Sequence, residues 1–170
     1  MDTTIYTVGY RRWNTKNRMT KMIEALHAAE VTHLVDIRLF PCVYRHGFSK
    51  NAMPKDWHLQ AQGGISDILE AAGIKYLWIP NLGNPEFHDP EMRVLRAHLT
   101  HWCRWPIQNG LTVLSTYVSN RDETVCLMCS CANENTCHRR LVAESLRDRQ
   151  SMKRFNIHIE ELKSQVARRV

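Results

Sequence analysis

The chain has 170 residues, 44% apolar and 24% charged, an ordinary globular balance that allows one domain with a single sizeable core. No apolar run approaches the roughly 18 residues that span a membrane, and the opening MDTTIYTVGY lacks the basic and apolar regions of a secretory signal. Net charge is +6 and the pI is near 9.1, which admits a nucleic-acid partner, although much of the excess sits in RDRQSMKRF, VARRV and GYRRWNTKNR.

TIYTVGY is a β-branched and aromatic run ending at Gly9 and predicts the first strand. NTKNRMTKMIEALHAAEV carries Met19, Met22, Ile23, Leu26 and Ala29 on one face, which predicts an amphipathic helix capped by Asn14 or Thr15. THLVDIR predicts a buried strand that delivers Asp36 and Arg38 to its end. LFPCVYRHGFSKNAMPKDWHLQAQ has no clean period and reads as a long loop, the kind that is functional or mobile. GISDILEAAG predicts a helix and IKYLWIP a third strand. DPEMRVLRAHLTHWCRW predicts a helix with Asp89 as cap and Pro90 at its first position. LTVLSTYV has the composition of a strand, yet Ile107, Leu111, Leu114 and Val118 form a helical stripe, and helix is the choice here. ETVCLMC is the next strand and CHRRLVAESLRDRQ the helix after it. FNIHIEEL supplies an edge strand within a basic C-terminal extension of about 150–170.

This order predicts an α/β fold: a single three-layer Rossmann-like domain over residues 1–170, with a mostly parallel sheet and helices on both faces. Ligands of such sheets sit outside the carboxyl ends of the strands. The unusual residues of the sequence are therefore expected to converge there.

The densest stretch is CLMCSCANENTCHRR, which holds four of the six cysteines. Cys129 ends a strand, and Thr136 or Asn135 caps a helix starting near Cys137. That helix end favours an anion and would lower the pKa of a thiol placed on it. His138 and Arg139 add cationic donors, and Arg38 could complete a bidentate clamp. Asp36 would hold Arg38 or act as a general base. Tyr10 and the loop residues Arg45 and His46 are further candidates for contact with substrate.

Three readings of the cysteines compete. Cys129, Cys131, Cys137 and His138 could bind zinc, although the spacing lacks the second distant pair of a zinc finger. Cys129 or Cys137 could be a thiolate nucleophile or redox thiol. Finally, the cysteines could be small buried hydrophobes around a tight turn, leaving the polar work to His138, Arg139 and Arg38. No P-loop, GxGxxG or G-x-S-x-G is present.

At these residues the chain resembles a known family. YTVGY at 6–10, VDIRLFP at 35–41, GIKY at 73–76, LG at 82–83 and CLMCSCANENTCHRRLVAE at 126–144 follow the order of the domain-of-unknown-function family 488. D-x-R-x-x-P together with C-x7-C-H-R is the specific combination. The resemblance implies a compact α/β domain with Rossmann-like layering, and it implies no reaction. It carries over Asp36, Arg38, Cys129, Cys137, His138 and Arg139 as recurrent polar positions. Many members have Glu at Cys131 and Ser at Tyr44, so a mechanism needing that Glu as base does not transfer.

The functional expectation is an enzyme-like, anion-binding site for a phosphorylated, nucleotide or nucleic-acid substrate. Asp36, Cys129, Cys137 and His138 would do the chemistry, and Tyr10, Arg38, Arg45, His46 and Arg139 would bind. Alternatives are a non-catalytic basic nucleic-acid-binding module and a zinc-dependent protein. No cofactor is assigned and no membrane partner is expected. The cysteines are expected reduced, in a cytoplasmic chain.

Overall fold

The computed structural model describes residues 2–13, 17–41, 57, 62–86, 88–101, 106–151 and 156–162. Five strands form one all-parallel sheet: β1 (Asp2–Gly9), β2 (His33–Asp36), β3 (Lys75–Trp78), β4 (Val125–Cys129) and β5 (Asn156–Glu161). Their order across the sheet is β3-β2-β4-β1-β5. β2 and β4 are buried at every residue, as strands covered on both faces must be. β5 alternates because it is an edge.

Two helices, α1 (Arg18–Ala28) and α2 (Ile65–Ala71), cover one face. Their residues Met19, Met22, Leu26, Ile65 and Leu69 pack on Val8, Leu34, Cys126 and Met128. The other face carries α3 (Arg93–Thr100), α4 (Ile107–Val118) and α5 (His138–Ser151). There Leu95, Ile107, Leu111, Leu114, Val118, Val142 and Leu146 pack on Ile5, Val35, Val125, Leu127 and Ile157. The helical stripe in LTVLSTYV is thus the buried face of α4. Each of those apolar side chains contributes roughly 1.5–3 kcal/mol by burial. The edge strand expected in FNIHIEEL is β5.

One helix start differs from expectation. The Asp89 carboxylate accepts the N–H groups of Glu91 at 3.1 Å and Arg93 at 2.8 Å. It therefore closes a turn before the helix rather than capping it at Pro90. Met92 takes a left-handed φ of 52° at the entrance, and α3 begins at Arg93. The cap candidates Asn14 and Thr15 lie outside the described residues. Among the described residues, no helix is long and apolar enough to cross a membrane.

The connections place the site. From β1 the chain moves through α1 to β2 and through α2 to β3, all over one face. It then returns through α3 and α4 to β4, and through α5 to β5, over the other face. Right-handed crossovers demand this change of face when the direction reverses. β4 ends up between β1 and β2, and its outgoing chain leaves to the opposite side from theirs. The carboxyl ends are level, with Gly9 paired to Cys129 and Asp36 to Met128. This is the switch point where open parallel sheets bind ligands.

Candidate functional site: a sulfur centre at the switch point

Cys129 is the last residue of the central strand, and the chain after it folds back so that Cys131, Cys137 and His138 return to it. The sulfurs of Cys129, Cys131 and Cys137 all lie within 4.8 Å of one another. Cys129 Sγ is 3.8 Å from Cys131 Sγ and 3.7 Å from His138 Nδ1, and Cys137 Sγ is 4.0 Å from the same nitrogen. His138 Nε2 is 3.0 Å from the Ile37 carbonyl oxygen. A carbonyl only accepts, so Nε2 carries a proton and Nδ1 is the nitrogen turned to the sulfurs.

The returning loop is fastened at several points. Arg11 N–H donates to the Ser130 carbonyl at 3.3 Å, and Arg139 NH1 donates to the Cys131 carbonyl at 2.9 Å. Thr7 Oγ1 donates to the Glu134 carboxylate at 2.6 Å, and Cys137 N–H to the Glu134 carbonyl at 3.0 Å. Gly9 makes the close approach possible. A Cβ there would stand 1.8 Å from the Cys131 carbonyl oxygen and 2.8 Å from Arg139 NH1. The glycine of YTVGY is thereby explained, and so is that of LG: a Cβ at Gly83 would meet the Leu39 backbone at 2.9 Å.

Three thiols this close cannot ionise together. The pKa of Cys129 falls well below the ordinary thiol value because the Cys131 and Cys137 thiols hydrogen-bond to it and His138 adds its charge. The Cys131 and Cys137 thiols are pushed up, chiefly by hydrogen bonding to Cys129. Burial works to lower the His138 pKa, but the charge on Cys129 and its hydrogen bond raise it overall. Of the two thiols read as candidate thiolates, Cys129 has its pKa lowered and Cys137 has its pKa raised.

Arg139 is wholly buried on the first turn of α5. Its NH2 donates to Glu161 Oε1 at 2.8 Å, and Arg12 pairs with the same carboxylate from the other side. Arg139 Nε–H, also buried, has no acceptor among the described residues.

A second buried cluster stands at the end of β2. Asp36 accepts the backbone N–H of Arg38 at 2.9 Å, Arg38 Nε at 2.9 Å and the Tyr76 hydroxyl at 2.6 Å, with Arg38 NH2 closing the pair. Arg38 NH2 also donates to the Trp57 carbonyl at 3.1 Å. Its guanidinium lies 5.5 Å from the centre of the Tyr10 ring, which stacks on Trp57 at 4.3 Å. Burial, then the Asp36 charge, holds the Tyr76 hydroxyl far above its usual pKa. The Arg38 carbonyl accepts from Trp78 Nε1 at 2.9 Å, and Trp78 is 40% exposed. The Ile37 carbonyl, between Asp36 and Arg38, is the one that orients His138. The D-x-R and C-H-R motifs thus meet through a single hydrogen bond.

The structure brings together Cys129, Cys131, Cys137, His138 and Arg139, with Asp36, Arg38 and Tyr10 in the neighbouring cluster. Arg45 and His46 lie outside the described residues. Glu161, Glu134, Tyr76 and Gly9 are neighbours of the two clusters that the sequence reading does not select. Only Gly9, as the end of a predicted strand, carried a visible signal.

No curated protein and no solved structure matches the chain. The sequence model described as domain of unknown function DUF488 matches residues 18–146, a span that holds both the D-x-R and the C-H-R motifs. The chain belongs to the DUF488 family.

Proposed function

We propose that this protein is zinc-dependent, with the metal held by the thiolates of Cys129, Cys131 and Cys137 and by His138 Nδ1. The observation that carries this reading is the three-sulfur cluster itself, all within 4.8 Å. Zinc–sulfur bonds of about 2.3 Å in a tetrahedron put sulfurs about 3.8 Å apart and a ligating nitrogen about 3.6 Å from each sulfur. The separations of 3.8 Å from Cys129 to Cys131 and 3.7 Å from Cys129 to His138 are close to those edges, and that of 4.0 Å from Cys137 to His138 is longer. The Ile37 carbonyl on Nε2 is the outer-shell partner that fixes a ligating histidine.

The position outside the central strand supports an enzyme rather than a purely structural centre. Zinc there would supply a Lewis acid to a substrate or water entering its coordination sphere. The chain's own residues would hold the ion, and Gly9 and Arg139 would keep the Cys131 loop in place. A phosphate-bearing or nucleic-acid substrate is the class to screen. The reading does not rest on Arg38 or Arg139 as its clamp, since Asp36 and Glu161 engage their forks.

The test is the metal content of reduced protein purified without metal-affinity resin, by elemental mass spectrometry. About one zinc per chain is expected, lost in Cys129→Ser and Cys137→Ser. Folded protein without metal would overturn the reading. That outcome would favour a thiol–imidazole enzyme built on the 3.7 Å Cys129–His138 pair, testable by the rate of alkylation at Cys129.

A further inference from the structure

Zinc bound by three thiolates and a neutral imidazole carries one net negative charge. Burying it requires a counter-charge in contact. The only wholly buried cation among the described residues is Arg139. It adjoins His138 in the chain, and its NH1 already holds the carbonyl of the ligand residue Cys131 at 2.9 Å.

Two further facts aim it at the sulfurs. Glu161 is shared between Arg12 and Arg139, so this group of three carries one excess positive charge. Arg139 Nε–H is a buried donor with no acceptor among the described residues, on the residue two places after Cys137. A neutral thiol is a poor acceptor. A metal-bound thiolate is a strong one.

We propose that Arg139 is the positioning residue and counter-cation of the metal centre, donating its Nε–H to the Cys137 thiolate when the metal is bound. This rests on the zinc reading above. It goes beyond that reading by giving the buried arginine a role toward the metal rather than toward a substrate anion. The orphan donor is then the imprint of the loaded state. The Cys131 carbonyl and Glu161 engage the two terminal nitrogens and leave Nε for the sulfur. Glu161 alone would cancel the charge of Arg139, and Arg12 restores it.

The experiment compares wild type, Arg139→Lys and Arg139→Gln. Zinc affinity is measured by competition with a chelator, and the sulfur-to-metal charge-transfer band is recorded in the cobalt-substituted proteins. Arg139→Gln is expected to weaken zinc binding by roughly 10–100-fold and to shift the band. Arg139→Lys keeps the charge and loses the planar fork, so it should fall between the two. Unchanged affinity and an unchanged band in Arg139→Gln would overturn the proposal while leaving the zinc centre intact. Wild type that takes up neither metal would instead sink the zinc reading itself. If Arg139→Gln does not fold, Arg139→Lys decides: affinity and band identical to wild type count against the role.

Discussion

The carboxyl ends of β2 and β4 each bury an arginine beside a carboxylate, and the two sites differ in how completely they are closed. At β2, Asp36 receives four donors, and Arg38 reaches Asp36, the Trp57 carbonyl and the face of Tyr10. At β4, Arg139 keeps a donor without an acceptor among the described residues, and three thiols crowd one another with only weak S–H bonds between them. A saturated buried network is what holds a backbone in place. An unsaturated one is strained unless something else arrives. On the zinc reading proposed above, the first cluster is scaffold and the second holds the ligand, with the Ile37 carbonyl joining them.

The largest expected effect tests how the loop after β4 is held. Gly9→Ala would drive a Cβ into the Cys131 carbonyl, 1.8 Å away, with backbone on both sides. We expect a loss on the order of 4 kcal/mol or failure to fold, read by urea denaturation. A stable Gly9→Ala protein would mean that the loop is not locked as described.

Asp36→Asn comes next. It leaves the buried Arg38 charge without its carboxylate, at a cost of about 3–5 kcal/mol. Where the variant still folds, its zinc content should equal that of wild type. A protein of normal stability that has lost its metal would reverse the roles assigned to the two clusters.

Cys129→Ser should behave in the opposite manner. With zinc at a thousandfold excess over its Kd, the variant should be about 4 kcal/mol less stable than wild type, because ligand binding to the native state is lost. Under a strong chelator the gap should shrink to about 1–3 kcal/mol, the cost of burying a hydroxyl in place of a thiol. A gap that ignores the chelator would make the cysteine a packing residue.

The smallest effect lies away from both sites, at the amino end of β2. Burial lowers the pKa of His33, against a weaker raising effect from Glu123. The unfolded chain therefore binds more protons just below the ordinary histidine pKa of 6.5. Stability should fall as pH drops from that value toward the folded one. His33→Gln should flatten that slope in thermal melts between pH 7 and 5, and an unchanged slope would place the titration elsewhere.

Much of this was legible in the sequence. The stripe of Ile107, Leu111, Leu114 and Val118 settled a segment whose composition favours a strand, because burial on one face decides over local propensity. The alternation of strands and helices implied a parallel sheet, and the parallel sheet implied that Asp36, Cys129 and His138 would gather. Two kinds of information were missing. Local spacing carries no trace of Tyr76 reaching Asp36 or of Glu161 reaching Arg139, since those partners come from other strands. The choice between Cys129 and Cys137 as the more acidic thiol was also out of reach. A helix end favours Cys137, but two S–H donors and an imidazole beside Cys129 outweigh it, and that geometry exists only once the loop has folded back.

The insertion of β4 between β1 and β2 has a consequence for how the molecule comes into being. Both sheet neighbours of β1 are late strands, β4 and β5. A chain emerging from the ribosome can pair β2 with β3 while β1 waits, its two edges open, for Val125 and beyond. The sheet is completed by contacts of high sequence separation, which are slow to close. Nascent chains shorter than about 125 residues would therefore depend on being shielded from one another. Because β4 ends in Cys129, the sulfur centre is assembled by the very step that closes the sheet.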